Sequence, residues 1–142
     1  MLKNINKNIK ILYVEDDEVA RENGIEYLQN FFAQIYEASD AIKALQLYEK
    51  YQPDIIITDI QMPKLNGLEF VQRIRQKDKK TKIIIITAFC EKDYLLKAIE
   101  LGLVKYLVKP VREKEFEEAL FLCVNSLQED SSNIVKLDVD SY

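Results

Sequence analysis

The chain has 142 residues, 48% of them hydrophobic and 31% charged, which fits one compact unit with at most a short tail and excludes a large multidomain enzyme or a disordered chain. Lys plus Arg number 20 against 24 Asp plus Glu, a net charge of −4, so a domain built to neutralise phosphate backbones is not expected and nucleic acid is not the default partner. Histidine is absent, which removes the commonest general base and metal ligand and excludes Ser-His-Asp and Cys-His mechanisms from this chain.

The start, Met1-Leu2-Lys3-Asn4-Ile5-Asn6-Lys7, has no apolar segment after its charges and does not read as a secretory signal. A first strand is predicted over Ile9–Val14 and runs into Glu15-Asp16-Asp17. After a helical stretch comes a second strand at Ile35–Tyr36, and then Ser39-Asp40, which can cap a helix carrying Ala41, Ala44, Leu45 and Tyr48 on one stripe. Asp54 follows Pro53 and starts a third strand, Ile55–Thr58, that ends in Asp59. Asn66-Gly67, just after Pro63, opens a helix with its stripe at Leu68, Val71 and Ile74. Six basic residues between Arg73 and Lys82 form the densest charge run and read as a solvated helix end and loop.

A fourth strand, Ile83–Thr87, and a fifth, Leu103–Val108, follow, the latter running into Lys109-Pro110. The last helical stripe is Phe116, Leu120, Cys123/Val124 and Leu127. Beyond it Glu129 to Tyr142 turn Ser-, Asp- and Asn-rich, so the expected organisation is an N-terminal extension over 1–8, one domain over 9–128 and a polar tail or linker start over 129–142. Strands alternate strictly with helices and are apolar on both faces, the pattern of a parallel sheet covered on both sides, so the fold class is doubly wound α/β. No apolar run approaches the roughly 20 residues of a membrane helix. Cys90 and Cys123 show no CxxC spacing and read as buried thiols of a cytosolic protein, so a cytoplasmic location without membrane contact is expected.

In such sheets reactive groups gather at the carboxyl ends of the strands. Standing there are Glu15-Asp16-Asp17, Asp59, Thr87 and Lys109. A single carboxylate at a strand end is ordinarily a cap or a solvated loop residue. Several together are harder to explain that way, because two carboxylates about 4 Å apart repel by roughly 4 kcal/mol at an effective dielectric near 20. A cluster of oxygen ligands without His or Cys suits a hard cation, Mg²⁺ or Mn²⁺, and Lys109 supplies a second positive charge. A metal, a lysine and a hydroxyl around one aspartate are the parts that stabilise a transferring phosphoryl group and make that carboxylate a nucleophile.

Val14-Glu15-Asp16-Asp17, the run from Asp54 through Asp59-Ile60-Gln61-Met62-Pro63 to Gly67, Ile86-Thr87-Ala88 and Tyr106-Leu107-Val108-Lys109-Pro110, in this order, give the chain from about Ile9 to Leu127 a resemblance to response-regulator receiver domains of two-component signalling. That resemblance implies a flavodoxin-like sheet of order 2-1-3-4-5 with five helices. It also implies that Asp59 accepts phosphate from the histidine of a partner kinase or of a histidine phosphotransfer protein. Glu15 and Asp16 would hold Mg²⁺, Glu15 through water, with Asp59 and the backbone carbonyl of Gln61 as further ligands. Thr87 would bond one phosphoryl oxygen and Lys109 another, and the Lys109–Pro110 bond would be cis. Asp17 could replace Asp16, since three acids stand in a row; Glu15 with Asp16 is preferred because the pair directly follows Ile11-Leu12-Tyr13-Val14 and matches the family's acidic pair in register.

The resemblance further supports a switch in which Thr87 moves toward the phosphate, Tyr106 turns inward and the surface of the fourth helix, fifth strand and fifth helix changes its binding preference. The plainer reading of Tyr106 is a half-buried strand aromatic. Phe89, two residues after Thr87, would overhang the phosphoryl group and slow its hydrolysis, or else be an ordinary loop aromatic. A magnesium-dependent phosphohydrolase is the enzyme alternative, but it wants an acid two residues after the nucleophile, where this chain has Gln61. The other alternative is a phosphorylation-independent binding module. Expected partners are the kinase or phosphotransfer protein and a downstream protein target or fused output domain, with the chain a monomer or a phosphorylation-dependent dimer.

Overall fold

A computed structural model describes Leu2, residues 4–88 and residues 91–140, with side chains through Asp130. Five parallel strands form one sheet: β1 (Asn6–Val14), β2 (Phe32–Ala38), β3 (Ile55–Thr58), β4 (Lys82–Thr87) and β5 (Lys105–Val108), in the order β2-β1-β3-β4-β5. Helices α1 (Glu18–Leu28), α2 (Ala41–Tyr51), α3 (Gly67–Lys77), α4 (Lys92–Glu100) and α5 (Glu113–Asp140) make the crossovers and the final segment.

Alternating strand residues divide the core. Leu12, Val14, Ile56, Ile83 and Ile85 point to the layer of α2, α3 and α4, where they meet Ala44, Tyr48, Val71, Ile74 and Ala98. Ile11, Tyr13, Ile55, Ile57, Ile84 and Ile86 point to α1 and α5, against Leu28, Phe116, Leu120 and Cys123. Ile55, Ile56, Ile57, Ile83, Ile84 and Ile85 are each at most 1% exposed, and burying one such side chain is worth about 1.5–3 kcal/mol. Both faces of β3 and β4 are covered, which is why their sequences run apolar without interruption.

Three helix starts are held by side chains: Asp17 accepts from Ala20 N, Asp40 from Lys43 N and Asn66 from Glu69 N. Each bond satisfies an amide that the first helical turn leaves unpaired.

Several boundaries differ from the sequence reading, and β4 does so by a single residue, starting at Lys82 rather than Ile83. β1 starts at Asn6 rather than Ile9, because the polar stretch is tied to the neighbouring edge, with Asn6 N–H on Phe31 O at 2.7 Å. β2 is seven residues long; it is an edge strand, and Gln34 and Glu37 dilute its apolar signal. β5 starts at Lys105 rather than Leu103. Finally α5 does not stop near Leu127 but runs on to Asp140, since no Gly or Pro occurs after Pro110 to end it. Residues 129–140 of the expected polar tail are therefore helical, and Lys82 Nζ pairs with Asp130 Oδ2 at 3.0 Å.

Arg73, Lys77, Lys79 and Lys80 of the basic run are exposed as expected, whereas Arg75 and Lys82 are partly buried. Arg75 donates through Nε to Leu101 O at 2.7 Å and through Nη2 to Gly102 O at 3.0 Å, covering carbonyls at the end of α4, and burial lowers its pKa. Among the described residues no helix is long and apolar enough to cross a membrane.

Candidate functional site

Parallel register brings the strand ends level. Val14 pairs with Thr58 across β1 and β3, Thr58 with Ile85 across β3 and β4, and Thr87 with Val108 across β4 and β5. The next residue along each of β1, β3 and β5 is therefore Glu15, Asp59 or Lys109, and these arrive at one edge of the sheet. Backbone bonds lock the approach: Asp59 N–H donates to Val14 O at 3.2 Å and Lys109 N–H to Thr87 O at 2.8 Å. The Lys109–Pro110 bond is cis.

Lys109 Nζ lies between two carboxylates, 2.6 Å from Glu15 Oε1 and 2.7 Å from Asp59 Oδ2. Burial works against its charge, but the hydrogen bonds to Asp59 and Glu15 and their negative charges outweigh that and hold the ammonium above its usual pKa. Glu15 is 3% exposed and Asp59 7%. Burial raises the Glu15 pKa, and the Asp59 charge adds to the rise while Lys109 opposes it. The other oxygen of Asp59, Oδ1, accepts from Gln61 N–H at 3.2 Å.

Glu15, Asp16 and Asp59 each offer a carboxylate oxygen, and these atoms lie within 4.8 Å of one another. An all-oxygen donor set beside a single lysine fits a hard divalent cation. Asp17 has different work: its carboxylate caps α1, so it is Asp16 that joins Glu15 and Asp59 in the cluster. The cleft above them encloses about 610 Å³ and is also lined by Gln61, Met62, Asn66, Ala88 and Tyr94. Thr87 is fully buried at the end of β4, and Tyr106 is partly buried against the α2–α4 layer. Phe89 and Cys90 lie outside the described residues, so the expected overhang on the phosphoryl group falls there. Cys123 is buried, and burial pushes its thiol up to about 12, so it is inert at neutral pH.

Three contributors escape a reading of the sequence. Tyr13 stands one residue before the end of β1, and burial, reinforced by the Glu15 charge, pushes its phenol up to about 12. Gly67 passes so close to the Asp59 loop that its N–H donates to Ile60 O at 2.7 Å, and a Cβ there would overlap the Asp59 carbonyl oxygen. Arg21 donates from Nη1 to Glu15 O at 2.9 Å. The last two act on backbone oxygens, which no residue pattern announces; Gly67 could have been singled out only as a glycine opening a helix.

Residues 11–121 match the family model of the response regulator receiver domain. An uncharacterised response regulatory protein of Staphylococcus epidermidis is 30% identical over 94% of this chain, and the chain spans 59% of that relative's length. Among solved structures, the N-terminal domain of an uncharacterised protein from Wolinella succinogenes superposes with a TM-score of 0.81 at 40% identity, over 86% of this chain and 98% of that one. The non-phosphorylated HemR receiver domain of Leptospira biflexa gives a TM-score of 0.76 at 30% identity, over 82% of this chain and 94% of that one.

Proposed function

The chain belongs to the response regulator receiver domain family of two-component signalling, and from that premise we propose that Asp59 is its phosphoacceptor, charged by the phosphohistidine of a kinase or phosphotransfer protein. The observation that carries this reading is the bracketing of one buried carboxylate by Lys109 Nζ at 2.7 Å and Gln61 N–H at 3.2 Å, with Glu15 and Asp16 alongside.

An oxygen of Asp59 attacks phosphorus, the donor's P–N bond breaks with its electron pair left on the imidazole, and an acyl phosphate remains on Asp59. Glu15, Asp16 and Asp59, with the Gln61 carbonyl, would hold Mg²⁺ or Mn²⁺, which supplies charge neutralisation for the phosphoryl oxygens. Lys109 exchanges its bond to Asp59 for one to a phosphoryl oxygen, and the Thr87 hydroxyl takes another. Dephosphorylation of its own acyl phosphate is the sole further chemistry assigned to the chain. The receiver unit is 9–128, and 129–142 is the tail or the start of a linker, of which 129–140 continue α5. The domain works in the cytoplasm, as a monomer or as a phosphorylation-dependent dimer, through a downstream protein or fused output domain.

Output follows from the space Thr87 leaves. When its hydroxyl swings toward the phosphoryl group, the volume beside β4 opens to Tyr106, which lies against the same core layer as Leu103 and Tyr94. The surface of α4, β5 and α5 then changes shape. NMR of the beryllofluoride-bound protein is expected to show the Tyr106 ring moving from half-buried to buried in the wild type and staying in place in Thr87→Ala; a ring unmoved in the wild type contradicts the switch.

A further inference from the structure

Among the described residues, Arg21 is the α1 side chain that hydrogen-bonds to the acidic turn. Its side chain is partly buried, 16% exposed, and its two contacts are unequal. Nη1 donates to the main-chain oxygen of Glu15 at 2.9 Å. Nε faces Glu37 Oε1 at 3.4 Å, but that side chain is 54% exposed and solvent screens the pair. The tight contact is the one to the backbone.

The Glu15 oxygen belongs to the peptide plane that joins Glu15 to Asp16, so the bond fixes how Asp16 leaves the strand. The remaining polar groups of Glu15 are tied elsewhere: its N–H to Ala38 O at 3.1 Å and Oε1 to Lys109 Nζ at 2.6 Å, with Oε2 accepting from Asp17 N–H at 3.4 Å. Arg21 completes this set from one turn into α1, where its own N–H returns to Asp17 O at 2.9 Å.

We propose that Arg21 is a positioning residue for the cation site: by clamping the Glu15–Asp16 peptide plane it holds the two carboxylates facing Asp59 before a cation arrives. This rests on reading Glu15, Asp16 and Asp59 as a divalent-cation site. Outer contacts that orient metal ligands typically change affinity by roughly 10- to 100-fold when lost. The sign of the effect separates positioning from charge. Deleting a cation beside an acidic cluster should by electrostatics alone tighten binding of a second cation, whereas loss of a clamp weakens it.

The test is Mn²⁺ titration of the unphosphorylated full chain, read by electron paramagnetic resonance, for wild type, Arg21→Met, Arg21→Gln and Glu37→Gln. Thermal unfolding in chelator gives the stability of each separately. The expected result is a Kd raised about tenfold or more in Arg21→Met and unchanged in Glu37→Gln. A folded Arg21→Met whose Mn²⁺ affinity is unchanged or tighter overturns the proposal, even if its melting temperature falls, because that outcome is a merely structural role. Should Arg21→Met fail to fold, Arg21→Gln decides on the same criterion. A wild type that binds no Mn²⁺ overturns the cation-site reading itself.

Discussion

Lys109→Met is expected to destabilise the cation-free protein by about 3–5 kcal/mol, the cost of removing one partner from a buried charge cluster. The side chains of Glu15 and Asp59 are only 4% and 8% exposed and share this single ammonium. Met matches the length of the lysine stem, so the loss falls on the charge rather than on packing. Two features mark the effect as electrostatic. The first is rescue by Mg²⁺: a ligand at a hundredfold excess over its Kd adds about 2.7 kcal/mol to the folded state, and the variant, with no ammonium competing for the two carboxylates, gains more than the wild type.

The second is pH. The Glu15 pKa is already raised by burial, and losing Lys109 removes the influence that opposes the rise. A carboxylate whose folded pKa lies above its unfolded value makes the native state bind more protons than the unfolded chain, so stability falls as pH rises through the interval between the two values. The deficit of Lys109→Met relative to wild type should therefore shrink as pH is lowered from neutral toward 5. Urea unfolding in chelator at the two pH values checks this. A deficit that neither Mg²⁺ nor acid reduces contradicts the charge account.

Gly67→Ala is expected to lower stability by about 1–3 kcal/mol and to slow phosphorylation of Asp59. Helix propensity alone predicts the opposite, because Ala is favoured over Gly by about 1 kcal/mol inside a helix. Yet a Cβ at this first residue of α3 would overlap the Asp59 carbonyl oxygen and stand 2.8 Å from Ile60 Cα. Both are backbone atoms and cannot turn aside as a side chain does. The Gly67 N–H to Ile60 O bond would have to lengthen, and the Asp59 loop would shift with it. Urea unfolding together with the rate of labelling by acetyl phosphate measures both effects; a variant as stable as wild type or more so contradicts the close approach.

The fold was legible where burial is complete. β3 and β4 are covered on both faces, so their isoleucine runs could be read directly as parallel strands. β2 and the start of β1 lie toward the edge, where polar side chains face water and the apolar signal thins. The continuation of α5 carries no stripe to read; it persists because nothing stops it. The acidic cluster was legible because Glu15, Asp16, Asp59 and Lys109 stand at strand ends, and a parallel sheet aligns those ends. The preference for Asp16 over Asp17 rests on the match to the family's acidic pair and not on strand geometry; in the structure Asp17 turns back to cap α1. The contacts of Arg21, Gly67 and Arg75 are not legible for a shared reason: each acts on a main-chain carbonyl, and a carbonyl has no letter in the sequence.

The central claim is that Asp59 accepts a phosphoryl group in a cation-dependent reaction. Intact mass after incubation with acetyl phosphate and Mg²⁺, on the wild type and on Asp59→Ala, tests it most directly. The account predicts a gain of about 80 Da, one phosphoryl group, in the wild type alone and its loss when chelator is present. No gain with any phosphoryl donor, or an equal gain in Asp59→Ala, would contradict it, the former leaving a binding module that works without phosphorylation.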